Sequence, residues 1–579
     1  MFYLKIAWHN LKHSIDQYIP FLLASLLLYS LTCSTLLILM SAVGRDMGTA
    51  ATVLFLGVIV LSIFAVVMEH YSYNILMKQR SSEFGLYNIL GMNKRQVARV
   101  ASLELFIIYI FLKGEKEPKG NLILAILALV AIAIAYTMAL TSGKAPALAV
   151  IYRFFFAVLL VIAGTYLFYI SFMTWYLKRL RQNKHYYYKS EHFVSTSQMI
   201  FRMKQNAVGL ASITLLAVMA LVTIATTVSL YSNTQNVVTG LFPKSVSLSI
   251  DNSKGDAKNI FEEKILKKLG KSSKEAITYN QTMISMPVSQ SSELNITSKN
   301  VKHVDITKTG FMYLITQNDF RRLGHQLPKL KDNQVAYFVQ KGDSRLKKIN
   351  LLGNKFDVVK NLKEAYVPET TNTYNPGLII FANNKQIDNI RKAYLPYTKN
   401  INTFPKTFKA YLDLNSQEIN SISKNDIIEV DGKYVGNIST KQSFLKEGYQ
   451  MFGGLLFTGF LLGISFLLGI ALIVYYKQYS EGHEDKRSYR ILQEVGMSKK
   501  LVKRTINSQI MIFFFQPLVV AVIHFGVAIP MLKQMLLVFG VLNSTIVYVV
   551  SGLTVLAISI IYFIIYRITS RTYYHIIER

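Results

Sequence analysis

Cysteine is nearly absent from this chain, and acidic residues are scarce. The 579 residues include one cysteine, Cys33, which lies in an apolar run, so the chain cannot form an internal disulfide. Asp and Glu number 33 against 64 Lys and Arg, which gives a formal net charge of +31. In a soluble chain such a charge would indicate nucleic-acid binding. We predict no nucleic-acid partner here, because much of the positive charge lies in short loops between apolar runs, as described below.

Motifs of nucleotide binding and hydrolysis are also missing. The one Gly-Lys-Ser, residues 270–272, has Ile265 where a phosphate-binding loop needs its first glycine. The sequence has no HExxH, CxxC or nucleophile-elbow motif, and its 10 histidines are scattered. We therefore predict a chain that is not an enzyme, with no catalytic residue, no metal site and no cofactor of its own.

Long apolar runs are abundant instead. Hydrophobic residues make up 51% of the chain, and a helix needs roughly 20 apolar residues to cross a bilayer. Eight runs approach or exceed this length: 18–43, 51–68, 121–141, 150–177, 207–230, 451–476, 510–530 and 544–566. The fold class that they predict is a polytopic α-helical membrane protein.

The basic residues follow the apolar runs in a regular way. Short loops rich in Lys and Arg stay in the cytoplasm, and the basic loops are 1–17, 78–100, 178–205, 477–505 and 567–579. This pattern predicts a multi-pass protein of the cell membrane with both termini in the cytoplasm. The apolar stretch 101–112 is too short to cross alone, so either a pair of spans is nearly lost or residues are missing there.

A polar region separates two of the runs. Residues 232–446 contain short alternating strands such as VSLSI, AYFVQ, GLIIFA and IIEVDGKYVG, with helical patches at 259–269 and 385–393. They predict an inserted extracellular α+β domain, and its lack of cysteine fits a Gram-positive surface.

The inserted region is itself basic, with 32 Lys and Arg against 19 Asp and Glu. The positive-inside rule does not govern long translocated domains. This excess has two interpretations: simple solvation by lysine, or an anionic target such as a membrane lipid, a lipid-pyrophosphate intermediate or a wall polymer. The candidate ligand-binding residues are three basic pairs: Arg321 and Arg322, Lys347 and Lys348, and Arg391 and Lys392.

One segment occurs twice. Residues 78–100 (the first repeat segment) and 477–505 (the second repeat segment) both follow an apolar run and begin with Lys-Gln, and Gly91-Met92 aligns with Gly496-Met497. Each copy predicts an amphipathic helix, a Gly-Met break and a second basic helix. The simpler alternative is an ordinary basic segment beside the membrane, which does not explain the repeated Gly-Met.

These residues resemble a known family. EFGLYNILGM, SQMIFRMKQNAVGLASITLL and SEGHEDKRSYRILQEVGMSKKLVKR are similar to the FtsX-like permeases of ABC transporters, and more narrowly to the Bce-type bacitracin-resistance permeases of Gram-positive bacteria. The resemblance implies FtsX/MacB-like permease repeats and two copies of a separate ATPase, on which ATP and Mg²⁺ would bind. It also implies a role in resistance to peptide antibiotics that bind lipid-linked wall intermediates, often together with a membrane histidine kinase.

The resemblance also implies which residues face the ATPase. They are Glu83, Phe84, Gly85, Leu86, Gly91 and Met92 in the first repeat segment and Tyr489, Ile491, Gly496 and Met497 in the second. Ser488 stands where Glu83 stands in the first copy, so the two copies are not equivalent. The chain shows eight clear spans, whereas the family has ten.

The predicted domain organisation has four parts. Residues 1–112 form a first FtsX-like half, 113–231 hold central spans, 232–446 are the extracellular domain and 447–579 form a second FtsX-like half. The function that this organisation favours is an ATP-driven permease that frees lipid targets from antimicrobial peptides. The alternatives are a signalling scaffold that couples an ATPase to a histidine kinase, and an FtsX-type regulator of an external wall hydrolase.

Overall fold

The structure is a computed structural model. It describes scattered residues between 25 and 66, then 122–144, 147–182 and 190–578, except for gaps at 253–255, 288–291, 303–308, 341–344, 369–375, 398–405, 425, 431 and 495–498. The first repeat segment and the short stretch 101–112 lie outside the described residues, and so do most of the first two predicted spans.

Long helices make up the membrane part. The first four are α1 (Leu122–Leu140), α2 (Ala147–Leu167), α3 (Met173–Gln182) and α4 (Ser190–Leu241). A π turn at Phe168–Phe172 joins α2 to α3. The last three helices are α11 (Lys441–Glu494), α12 (Lys499–Leu536) and α13 (Ser544–Glu578).

Six of the described helical stretches are long and apolar enough to cross a membrane. They are Leu122–Gly143, Val150–Arg179, Ala207–Leu241, Lys441–Tyr479, Phe514–Phe539 and Ser544–Arg571. Each corresponds to a run predicted from the sequence, so the prediction of a polytopic helical membrane protein is confirmed.

The core of the membrane part lies between α4, α11, α12 and α13. Ala217 and Ala220 of α4 pack with Ile470 of α11, Ala521 of α12 and Tyr562 of α13, all fully buried. Small residues allow helix backbones to approach closely, which is the usual basis of helix association in membranes.

A single mixed sheet fills the region between α4 and α11. Its strands are β1 (Val246–Asp251), β2 (Ile277–Pro287), β3 (Glu293–Ile296), β4 (Thr309–Thr316), β5 (Gln334–Val339), β6 (Lys348–Leu351), β7 (Asn354–Asn361), β8 (Gly377–Phe381), β9 (Lys406–Leu412), β10 (Ser423–Lys424), β11 (Ile427–Val430) and β12 (Lys433–Thr440). Their spatial order is β10-β11-β12-β1-β9-β2-β4-β8-β5-β7-β6-β3. The pairs β3/β6, β4/β8 and β5/β7 are parallel and the others antiparallel.

Short helices cover both faces of the sheet. They are α5 (Ala257–Asn259), which continues through a π turn into α6 (Lys267–Leu269), then α7 (Ser298–Lys302), α8 (Gln317–Arg322), α9 (Asn384–Tyr394) and α10 (Ser416–Ile422). Side chains of α9 pack against Ile284 and Leu314, whereas Phe320 of α8 packs against Tyr279 and Tyr313. Because successive strand residues point to opposite faces, α8 and α9 lie on opposite faces of the sheet.

The prediction of an inserted α+β domain agrees with this region. VSLSI lies on β1, AYFVQ and GLIIFA lie on β5 and β8 and extend one residue beyond each, and IIEVDGKYVG spans β11 and the first half of β12. The predicted helical patch 259–269 overlaps the stretch from α5 to α6, and the patch 385–393 lies within α9. The chain is thus a multi-pass membrane protein with a sheet-rich domain between two of its spans.

Candidate functional site

The two longest helices enter the sheet through neighbouring strands. Helix α4 leads into β1, and β12 leads directly into α11. Strands β1 and β12 pair antiparallel with Val246 opposite Thr440. The Lys441 amide donates to the Ser245 carbonyl at 2.8 Å, and the rings of Phe242 and Phe444 lie 5.0 Å apart. The ends of both helices are therefore held together where they meet the sheet.

A polar cluster fixes α4 to the sheet at the same place. The Ser245 amide donates to Asp413 Oδ1 at 2.9 Å, and this bond holds the pKa of the Asp413 carboxyl below its usual value. Lys244 Nζ lies 3.4 Å from Asp413 Oδ2 and donates to the Glu275 carbonyl at 2.7 Å. Lys271 Nζ donates to the Asp413 carbonyl at 2.8 Å. Two lysines here thus stabilise the connection between helix and sheet.

A second contact reaches the end of α4 from the other side of the domain. The Tyr366 hydroxyl donates to the Gly240 carbonyl at 2.6 Å. The Tyr366 carbonyl in turn accepts from His325 Nε2 at 2.6 Å, and the His325 ring stacks on Phe320 of α8. The Gly240 carbonyl lies in the last turn of α4, where carbonyls have no hydrogen-bond partner within the helix. Tyr366 supplies that partner. We call these contacts, together with the polar cluster and the β1–β12 pair, the helix–sheet junction.

The basic pairs proposed from the sequence lie on separate elements. Arg321 and Arg322 are on α8, Lys347 and Lys348 lie at the start of β6, and Arg391 and Lys392 are on α9. Since α8 and α9 cover opposite faces, their pairs do not form one basic patch. Lys347, Lys348 and Lys392 are exposed, and Arg391 is half-buried.

The arginines of α8 also have partners within the domain. Arg321 donates to the Leu327 carbonyl at 3.0 Å. Arg322 lies 3.4 Å from Asp319, a carboxyl whose pKa is raised by burial. Reversing the charge of Arg322 would remove the cation beside a buried acid, which destabilises a domain whether or not it binds a ligand. Lys347 and Lys348 therefore allow the cleaner test of anion binding.

The second repeat segment is described on both sides of its break. Helix α11 ends at Glu494 and α12 begins at Lys499, so Tyr489 and Ile491 lie in α11. Gly496 and Met497 fall in the gap at 495–498. Glu83, Phe84, Gly85, Leu86, Gly91 and Met92 also lie outside the described residues. The predicted contact of these residues with an ATPase stays a prediction.

Sequence reasoning missed a buried histidine in the membrane part. His524 of α12 is 5% exposed, and its Nδ1 lies 2.7 Å from the Tyr136 hydroxyl of α1. Its Nε2 lies 3.1 Å from Thr165 Oγ1 of α2, whose proton is donated to the Val161 carbonyl at 2.6 Å. Nε2–H therefore donates to Thr165. In a neutral imidazole the other ring nitrogen, Nδ1, is an acceptor for the Tyr136 hydroxyl. A histidine inside an apolar run was the only signal in the sequence, and it does not name partners on other helices.

Removing one hydroxyl should loosen this three-helix contact. We expect Tyr136→Phe to lower the free energy of unfolding by about 1 kcal/mol, the usual size of a hydrogen bond between membrane helices. The matched control is Tyr152→Phe on α2, because Tyr152 is 60% exposed. Thermal unfolding of the purified protein in one detergent measures both. Equal melting temperatures for the two variants would contradict the contact.

The sequence of this chain is similar to those of known ABC transporter permeases. No family model matches the chain. It is 22% identical to the ABC transporter permease protein YxdM of Bacillus subtilis (strain 168) over 428 residues, 71% of this chain and 62% of YxdM. It is 23% identical to the bacitracin export permease protein BceB of the same strain over 382 residues, 63% of this chain and 55% of BceB. These similarities support a Bce-type ABC transporter permease.

A third protein of the same strain is also similar to this chain. The ABC transporter permease YvcS, which is uncharacterised, is 22% identical over 461 residues, 76% of this chain and 67% of YvcS. The chain thus spans less than two thirds of YxdM and of BceB. The relatives are permease subunits, which are not enzymes themselves.

Proposed function

We propose that this permease confers resistance to cell-wall-targeting antimicrobial peptides of the bacitracin kind. It would free lipid-linked targets from the peptide with energy from ATP that a separate subunit hydrolyses. The name of BceB supports the drug class. The proposal places the sheet domain outside the cell, both termini in the cytoplasm and two ATPase copies against the two repeat segments.

The continuity of α11 is the observation that supports this proposal best. Its 54 residues begin directly after β12 and end two residues before Gly496. At 1.5 Å per residue this is about 81 Å, against a hydrocarbon core of about 30 Å. A helix of this length would carry movement from an ATPase at the second repeat segment to the sheet domain without an intervening loop.

Helix α4 would transmit the same movement to the neighbouring strand. It has 52 residues and is fixed to the sheet by the helix–sheet junction. A displacement between α4 and α11 would therefore act on β1 and β12, which lie side by side within the sheet. This is the mechanical basis that we propose for releasing a target from a bound peptide.

Drug susceptibility of a deletion strain tests the proposal. We expect the inhibitory concentration of bacitracin to fall several-fold on deletion and to recover with a plasmid copy. An antibiotic with an intracellular target serves as the control and should act equally on all strains. Unchanged susceptibility to bacitracin, nisin and defensin-like peptides alike would contradict the proposal.

An anionic target at the sheet domain is the second part of the proposal. The exposed Lys347 and Lys348 are the residues to reverse, since their side chains reach solvent. Lys and Arg near an anionic lipid surface contribute on the order of 1 kcal/mol each, and salt screens the attraction. We expect the double reversal to glutamate to weaken binding to vesicles that contain a lipid pyrophosphate, with the same reversal at the exposed Lys329 and Lys331 as control. Equal binding by all variants would place the target elsewhere.

A further inference from the structure

A small cavity lies where the four core helices of the membrane part meet. Its volume is about 20 Å³, and it is partly open. Its charged and amide side chains belong to α11, and each of the four helices contributes one apolar or aromatic side chain. The lining residues used below are Ile213 of α4, Lys477, Gln478 and Glu481 of α11, Phe514 of α12 and Tyr562 of α13.

The side chain of Gln478 makes this cavity unusual. It is 4% exposed, and neither its amide oxygen nor its amide nitrogen has a hydrogen-bond partner among the described residues. Both atoms belong to a residue that lines the cavity. A buried amide left without partners is costly, and in native proteins such groups are nearly always satisfied by protein or by ordered water.

The size and chemistry of the cavity define its occupant. One water needs a cavity of roughly 10–15 Å³, together with two to four polar partners. The volume of about 20 Å³ is enough for ordered water. The amide of Gln478 offers a donor and an acceptor, the ammonium of Lys477 a donor and the carboxylate of Glu481 an acceptor. We infer that this cavity is a binding site for ordered water.

Bound water would matter for movement of α11. Gln478 lies 16 residues before the end of α11 at Glu494, at the start of the second repeat segment. A water molecule can exchange hydrogen-bond partners when a helix shifts by a fraction of a turn, whereas interlocked apolar side chains must be repacked. The cavity would thus let α11 move against the other three helices. Water binding itself does not depend on what the permease transports.

Hydroxyl-radical footprinting with X-ray pulses tests the site on the full chain in lipid nanodiscs. Radicals formed from bound water oxidise the aromatic side chains beside it, even when these are buried. Phe514 lines the cavity, whereas Phe466 and Phe525 lie in the same core without lining it, and the three are 5%, 2% and 1% exposed. We expect Phe514 to be oxidised several-fold faster than either control.

Two variants connect the water to Gln478. Gln478→Leu removes the amide and should bring the oxidation rate of Phe514 down to that of Phe525, while Gln478→Glu keeps the site polar and should keep the rate high. Thermal unfolding confirms that both variants are folded. Equal rates for the three phenylalanines in the unmodified protein would overturn the inference. A rate that stays high in a folded Gln478→Leu variant would overturn the assignment of the water to Gln478.

Discussion

Replacing Lys446 by proline should abolish the proposed resistance while the proposed ATPase subunit still hydrolyses ATP. Lys446 is exposed in the second turn of α11, close to the start of the helix after β12. Proline there removes one backbone hydrogen bond and its ring collides with the carbonyl four residues earlier, at a cost of about 3 kcal/mol. The helix would kink between the sheet and the membrane. Resistance in the deletion strain and ATPase activity of the purified complex measure the two effects.

The matched control uses the first turn of the same helix. Gln442 is exposed and is the second residue of α11, where the amide has no intrahelical acceptor and proline is tolerated. We expect Gln442→Pro to keep both resistance and ATP hydrolysis. The capping bond from the Ser443 amide to Thr440 Oγ1, 3.0 Å long, does not involve Gln442. Full resistance with Lys446→Pro at normal expression would show that continuity of α11 is not required.

The sequence was sufficient for elements whose signal is local. Apolar length indicated the six described spans. Short apolar runs between turn residues indicated β1, β5 and β8, although β5 and β8 are buried along nearly their whole length and do not alternate. The pairing of β1 with β12 could not be predicted. Ser245 and Lys441 are joined by a backbone hydrogen bond across 195 intervening residues, and no local pattern specifies such a contact.

The candidate site shows the same limit more sharply. Arg321, Arg322 and Lys347 look equivalent in the sequence, since each is a cation in a polar region. In the fold Arg322 lies beside the buried Asp319, while Lys347 is exposed. The charge of a residue can be read from the sequence. Whether that charge is already paired within the domain depends on the fold and cannot. The sequence did not single out His524 at all, because its partners lie on two helices far away in the sequence.

The two long helices approach each other closely at Gly459. A Cβ atom added at Gly459 of α11 would overlap the Thr227 side chain of α4, with Thr227 Cγ2 2.7 Å and Thr227 Cβ 2.9 Å away. Alanine at this position would force the backbones apart along a contact that both helices share. Overpacking of this kind costs typically 1–3 kcal/mol. We expect Gly459→Ala to lower the melting temperature of the purified permease and to reduce resistance.

Gly453 provides the control on the same helix. A Cβ atom there would meet only Tyr231 Cε2, at the ordinary contact distance of 3.8 Å. Gly453→Ala should therefore leave stability unchanged or raise it slightly, because alanine favours a helix more than glycine does. Adding Thr227→Ala to Gly459→Ala removes the Thr227 hydroxyl and methyl groups and should recover part of the loss. If Gly459→Ala and Gly453→Ala melted at the same temperature, α4 and α11 would not approach each other closely at Thr227. This contact would then not limit movement between the two helices.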